Sequence, residues 1–357
     1  MNADSLLERA GRLRSYPVPK RSLARFLQSV AEREPLDLWT LIRTGEEYVR
    51  VTMELLEALV EADCVTVDAD GKLRLTDAGR ALCESLGARA APEPAVTGLG
   101  ACGLKLTESF QKILETLRVI YTEVVPKDRF DQAPLLPEAA ILKAYYIWRR
   151  GDVVGKRIVC VGDDDLLSLA FALTGETAGT LAVDIDDRLL GLIADYAKKH
   201  GLSVEVLEHD VTEPIPEAHR SGYDTFVTEP PDTVNGVTLF VSRGVELLRD
   251  EPGTTGYCGV STTACPPAGI AAIQRNFLEM GLRISAWLPK FNRYPPVRTE
   301  LKHVEVPGFY DPFYPPRTVW YVSDLVRLKT TSATRPLIDG KFTEPIADYE
   351  ADALEYR

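Results

Sequence analysis

The stretch Lys156-Arg-Ile-Val-Cys-Val-Gly-Asp-Asp-Asp-Leu166 limits the fold more than any other in this 357-residue chain. Arg157 to Val161 is a short apolar run rich in β-branched residues, the composition of a strand buried on both faces of a parallel sheet. Gly162 allows a tight turn, and three consecutive carboxylates, Asp163, Asp164 and Asp165, crowd into it. The apolar run over residues 166–173 then has helical character, and an acidic residue at its head suits both capping and the helix dipole. Ligands of open α/β sheets bind at that carboxyl edge of the strands. A phosphate site there uses a glycine-rich turn and the positive end of a helix. One glycine and three acids would repel a phosphate, so a cationic or neutral ligand is expected.

From residue 156 onward, strand and helix signals alternate. Strands are expected at 157–162, 180–185, 203–208, 224–227 and 255–260, with helices at 165–173, 188–199, 235–248 and 268–280. Such alternation means βαβ units and a mainly parallel sheet. Two late strands, 283–288 and 319–328, have no helix between them and predict an antiparallel hairpin at one edge. This layout resembles the class I methyltransferase-like, Rossmann-related α/β fold.

In that order, acidic positions fall at consecutive strand ends and converge on one edge. After the second strand, Asp184 is placed to accept both ribose hydroxyls of a nucleoside, whereas Asp186 reads as the cap of the next helix. After the third, Asp210 is placed to accept a hydrogen bond from an adenine amino group. After the fourth, Glu229-Pro-Pro-Asp232 is a loop stiffened by two prolines that presents both acids. The series suits an adenosyl-sulfonium donor. S-adenosylmethionine carries an α-carboxylate, which three aspartates would oppose. Its decarboxylated form ends in an ammonium, which they would attract, and the acceptor is then expected to be a polyamine. No permanently bound cofactor is expected. An amine methyltransferase using intact S-adenosylmethionine is the alternative within enzymes, and a polyamine-sensing regulator the alternative outside them.

Residues 1–90 form a small α/β unit. Apolar residues at helical spacing (Val51, Leu55, Leu56, Leu59, Val60) precede an alternating stretch, Cys64 to Leu75, that turns at Asp68-Ala-Asp-Gly71. A last helix over 78–86 completes a winged-helix-like unit. Glu46, Glu47, Glu54, Glu57 and Glu61 have the wrong sign for DNA, so the unit is expected to mediate oligomerisation, giving a homodimer or larger homo-oligomer, or to act as a lid. Residues 91–105 read as a linker, 106–330 as the catalytic domain, and 331–357 as an acidic flexible tail or a mobile flap. Just before the sheet begins, Phe130-Asp131-Gln132 lies in a loop able to cover the site.

The net charge of −12 argues against nucleic acid as a partner. No run reaches the roughly 18 apolar residues of a membrane span, and charges fill the first 20 residues, so neither membrane nor signal peptide is expected. The six cysteines (Cys64, Cys83, Cys102, Cys160, Cys258, Cys265) form no CxxC pair, and with four histidines they give no zinc pattern. No metal and a reduced, cytoplasmic setting are expected.

Phe130-Asp-Gln132, Val161-Gly-Asp-Asp-Asp-Leu166, Asp184-Ile-Asp186, Tyr223-Asp-Thr-Phe-Val-Thr-Glu-Pro-Pro231 and Gly256-Tyr257 resemble the branched-chain polyamine synthases, the N(4)-bis(aminopropyl)spermidine synthases. The resemblance spans nearly the whole chain, and its most specific part is the Gly-Asp-Asp-Asp turn. It implies transfer of aminopropyl groups from decarboxylated S-adenosylmethionine to the central secondary amine of spermidine, twice, with release of methylthioadenosine. It makes Asp164 the general base and gives Asp163 and Asp165 the aminopropyl end of the donor and the acceptor amines. Asp184 and Asp210, with Gly162, would bind the nucleoside. Phe130, Asp131, Gln132, Glu229, Asp232 and Tyr257 would bind substrate. Two departures from the family pattern are visible: Cys102 stands alone where members carry a linker CxxC, and Glu229-Pro-Pro replaces Asp-Pro-Pro.

Overall fold

A computed structural model describes residues 5–8, 18, 20–37, 41, 49–69, 71–88, 104–262, 264–295, 321–349 and 352. The chain divides into two compact units, Met1–Glu93 and Pro94–Arg357. Most of the expected linker, Cys102 included, lies outside the described residues, as do Glu46 and Glu47.

In the first unit, helices α1 (Lys20–Arg33), α2 (Val49–Glu61) and α3 (Asp77–Ser85) accompany strands β1 (Leu36–Asp37), β2 (Val65–Val67) and β3 (Lys72–Leu75). The strands pair antiparallel in the order β1-β3-β2. The expected hairpin therefore forms, with Val65 opposite Leu75 and Val67 opposite Leu73. Leu23, Leu27, Leu55, Leu59, Leu73 and Leu82 close one small core. The Thr76 hydroxyl caps α3 by accepting the Gly79 amide.

The second unit opens with α4 (Glu108–Tyr121), a 3-10 turn at Asp128–Phe130 and α5 (Pro137–Arg149). Then come β4 (Arg157–Val161), α6 (Leu167–Ala172), β5 (Gly179–Asp184), α7 (Asp187–His200), β6 (Val204–Glu208) and β7 (Thr225–Thr228). They are followed by α8 (Val234–Leu247), β8 (Thr255–Val260), α9 (Pro267–Glu279), β9 (Arg283–Arg293) and β10 (Val322–Lys329). The seven strands lie in the order β6-β5-β4-β7-β8-β10-β9, parallel except for β10, which runs antiparallel to both its neighbours. This is the class I methyltransferase-type sheet with its late hairpin at one edge. Residues of β4 alternate between faces, as strand geometry requires. Ile158 and Cys160 pack with α4 to α7, and Val159 and Val161 with α8 and α9.

Two boundaries differ from expectation for physical reasons. Helix α6 starts at Leu167 rather than 165, because Leu166 takes a left-handed conformation (φ +52) that continues the acidic turn. Strand β9 runs to Arg293, five residues past its expected end, because it keeps pairing with β10 across a register shift.

Residues 331–349 are held by packing and hydrogen bonds in this structure, although their composition suggests a loose tail. Ile338, Phe342 and Ile346 pack against the core on the α8 side of the sheet. Phe342 donates its amide to Thr212 O, and the buried Arg243 guanidinium donates to Ile338 O and Gly340 O. Asp352 accepts the Val234 amide at 2.7 Å, at the start of α8. Residues 353–357 lie outside the described residues.

Candidate active site

Parallel pairing aligns the strand ends. Val161 lies opposite both Val183 and Thr228, so the turns after β4, β5 and β7 emerge side by side. Gly162, at φ +70, turns the chain and donates to Val183 O. The three following aspartates then take three different situations.

Asp163 is fully buried, and its carboxylate accepts from Leu167 N at 2.8 Å and from the Ser168 amide and hydroxyl. It thus closes the first turn of α6, where open amides and the helix dipole favour an anion. These bonds tie the carboxylate to the start of α6. Burial nevertheless pushes its pKa up to about 7, against the opposing pull of the Ser168 bonds.

Asp165, also buried, accepts the Leu135 amide on Oδ1 at 2.7 Å and faces the Lys143 ammonium across 3.7 Å on Oδ2. Burial raises its pKa to about 6, with Lys143 pulling the other way. Asp164, between them, is half-buried and accepts the Ala133 amide at 3.1 Å. Burial and the carboxylates of Asp165, Asp184 and Asp163 push it well above the ordinary carboxylate range. Of the three it is the only one not fully buried, and so the one open to a substrate amine.

The loop over residues 130–135 wraps this turn. Gln132 accepts the Lys127 amide and donates to Asp186 at 3.2 Å, and Ala133 and Leu135 supply the amides just named. Asp131 takes φ +52 and accepts the Tyr349 hydroxyl at 2.7 Å. Phe130 is half-buried under the Arg129 guanidinium, 4.4 Å from its ring centre.

At the end of β5, Asp184 accepts the amides of Asp186 and Asp163 at 2.9 and 3.1 Å, bracing two adjacent turns. Asp186 caps α7 by accepting the Arg188 amide. Asp210 lies two residues past β6 at the same edge, exposed, with Thr212 donating its amide and hydroxyl to it.

After β7, Glu229 is enclosed by donors. Lys143 reaches it at 2.6 Å, Asn292 at 2.8 Å, Tyr294 at 2.5 Å and Ser323 at 3.3 Å. Gly259 makes the room, since a Cβ there would sit 2.2 Å from Glu229 Oε2. Asp232 accepts the Tyr321 hydroxyl, and burial pushes its pKa up to about 7.

Tyr257 does not join this group. Fully buried in mid-β8, it donates to Asp152 at 2.6 Å and accepts from Arg327 at 2.8 Å. Asp152 precedes β4, so this triad belongs to the opposite half of the sheet. The Gly-Tyr pair marks a strand, but its side-chain contacts depend on what β10 places beside it.

Lys143, Asn292, Tyr294, Tyr321 and Tyr349 escaped the sequence reading. A signal existed for Lys143 alone, as a single cation inside the apolar run Ala139 to Ile147 of α5. Among the described residues no cluster of histidine, cysteine and acidic side chains could hold a metal ion.

Residues 110–353 match the branched-chain polyamine synthase A C-terminal domain. An uncharacterized protein of Methanocaldococcus jannaschii is 38% identical over 193 residues, covering 54% of this chain and 48% of that protein. The N(4)-bis(aminopropyl)spermidine synthase of Thermus thermophilus is 30% identical, covering 92% of this chain and 93% of the other. A crystal structure of the Thermus thermophilus branched-chain polyamine synthase, in complex with N4-aminopropylspermidine and 5'-methylthioadenosine, superposes with a TM-score of 0.60 at 28% identity, over 98% of this chain and 99% of the other.

Proposed function

The chain belongs to the branched-chain polyamine synthase family, and from that premise we propose that it transfers aminopropyl groups from decarboxylated S-adenosylmethionine to the central secondary amine of spermidine. The products are N(4)-aminopropylspermidine, then N(4)-bis(aminopropyl)spermidine, with methylthioadenosine released at each step. One observation carries the reading: a half-buried carboxylate, Asp164, sits among the carboxylates of Asp163, Asp165 and Asp184 where the sheet's ligand edge lies. Such a pocket welcomes ammonium groups and opposes a donor that keeps its carboxylate.

In this mechanism the secondary amine gives its proton to Asp164, and the freed lone pair attacks the methylene next to the sulfonium sulfur. A carbon–nitrogen bond forms, the carbon–sulfur bond breaks, and the sulfur leaves as a neutral thioether. General-base assistance of this kind contributes about 10²–10⁴-fold. Asp165 holds the donor's ammonium end, and Asp184, Asp210 and the Gly162 turn hold the nucleoside. Asp131, Gln132, Glu229 and Asp232 form the polar wall on the acceptor side, with Phe130 at its rim. The winged-helix-like first unit serves a homo-oligomer, which light scattering on the full chain would measure. A cytoplasmic setting fits polyamine chemistry. No helix among the described residues is long and apolar enough to cross a membrane.

The test is mass spectrometry of products from the decarboxylated donor with a panel of polyamines, alongside calorimetry of both donors. Branched products from spermidine are expected, with tighter binding of the decarboxylated donor. Methylated amines from intact S-adenosylmethionine would replace this reading with an amine methyltransferase.

A further inference from the structure

Lys143 lies in an otherwise apolar stretch of α5 with no exposed surface. A lysine so placed needs a partner, because a bare buried ammonium is costly. It has two: Glu229 Oε1 at 2.6 Å and Asp165 Oδ2 at 3.7 Å. Asp165 Oδ2 accepts no hydrogen bond among the described residues, so the lysine answers that charge through space alone. The other groups around the ammonium are Cys258 on β8 and Cys160 on β4. Asn292 and Tyr294 at the end of β9 and Ser323 on β10 reach it through Glu229. None of these is a second cation.

The arrangement is asymmetric. Two carboxylates share one fixed cation on the inner side, while Asp164, on the outer side, has a backbone amide. We propose that Lys143 is a positioning residue for aminopropyl transfer, the built-in counter-ion that keeps Asp165 a carboxylate, so that the proton leaving the acceptor amine goes to Asp164. This rests on the activity proposed above. It adds a division of labour within the acidic turn: Asp165 stays charged to hold an ammonium, and Asp164 changes charge during the reaction. Burial favours the neutral form of Asp165, and Lys143 is the first influence acting against it. Glu229 and Asp165 in turn hold the lysine as a cation, raising its pKa in spite of its burial.

The test reads Asp165 directly, in the ligand-free full-length protein labelled with [γ-13C]aspartate and assigned with Asp165→Asn. In wild type, the Asp165 carboxyl titrates near pH 6. In Lys143→Met, its midpoint rises by about 1–3 units, the scale of an opposite charge removed from this distance. Lys143→Met combined with Glu229→Gln removes one charge of each sign and brings the midpoint back toward wild type, because the Glu229 carboxylate that opposes ionisation of Asp165 goes with the lysine. An unchanged midpoint in the single variant overturns the proposal. Should the single variant fail to fold, the double variant is compared with Glu229→Gln alone: a midpoint about 1–3 units higher in the double variant supports the counter-ion role, and equal midpoints refute it. Turnover adds a second readout, with the KM of Lys143→Met for the decarboxylated donor about tenfold higher at pH 7 and the gap closing at pH 9, where Asp165 is again ionised. A wild-type protein inactive on spermidine would sink the proposed activity while leaving the titration result standing.

Discussion

Two buried polar clusters lie in opposite halves of the same sheet, and they differ in how their charge is balanced. In the lower one, Asp152 accepts from Arg327 Nε and Nη2 at 3.1 and 2.7 Å and from the Tyr257 hydroxyl at 2.6 Å. Anion and cation match, and burial is complete on both sides. In the upper one, Asp163, Asp164, Asp165, Asp184, Glu229 and Asp232 lie near one another, and Lys143 pairs with two of them, Asp165 and Glu229. Burying charge without matching it is costly, and folding alone gives no reason to keep it so. A chain that balances its charges at one end and leaves an anionic surplus at the other has its ligand site at the second. The missing cations are what a polyamine and a sulfonium donor would bring.

The sharpest way to break this contrast is to touch the surplus itself. Asp164→Asn should lower transfer by about 10²–10⁴-fold, as expected on loss of a general base, with donor binding by calorimetry nearly unchanged. Turnover close to wild type would take the base role away from Asp164. The matched cluster should answer in stability instead. Asp152→Ala removes the carboxylate that balances the buried Arg327 guanidinium, and should cost about 3–5 kcal/mol in denaturant unfolding. The pH profile of the remaining turnover should not move; if it does, the two clusters are not independent.

A smaller effect sharpens the boundary of the acidic end. The Tyr349 hydroxyl donates to Asp131 and lies 3.4 Å from the Asp232 amide, joining the two loops. Tyr349→Phe should raise the acceptor KM about two- to tenfold, the range of one hydrogen bond, with kcat held. An unchanged KM would make this contact purely structural.

The smallest effect concerns pH. The folded-state pKa of Asp163, about 7, stands above its ordinary value of 3.8. Between those two pH values the folded chain holds a proton that the unfolded chain has released. That proton stabilises the fold at low pH, and the advantage fades as pH rises through about 7. Asp163→Asn keeps an acceptor oxygen for the α6 amides and should flatten the fall in Tm between pH 5 and 8, by on the order of a few degrees. An equally steep fall in the variant would assign the slope to Asp232 or Asp165.

Most of the large unit's architecture was legible because its signals are local. The apolar run of β4, the glycine after it and the helix-capping role of Asp186 each depend on a few adjacent residues. The convergence of Asp164, Asp184, Asp210 and Glu229 on one edge followed from strand order, since parallel strands end on the same side. Tyr257 was misplaced for the complementary reason. Its neighbours Asp152 and Arg327 stand 105 and 70 residues away in sequence. The anchoring of residues 338–346 was not legible because composition records charge, not hydrogen bonding, and Arg243 lies 95 residues upstream of Ile338.

The sequence alone determined the alternation of strands and helices, the sheet edge that carries the acids, and hence the sign of charge a ligand must bear. Hydrophobic period and turn chemistry act over a few residues and can be read along the chain. Only the tertiary structure decided where each acid stands: Asp163 closes a helix, Asp165 and Glu229 share Lys143, and Asp164 is left half-buried with a backbone amide. Ionisation depends on burial and on every charge within several ångströms, and those neighbours are set by folding, not by order in the chain.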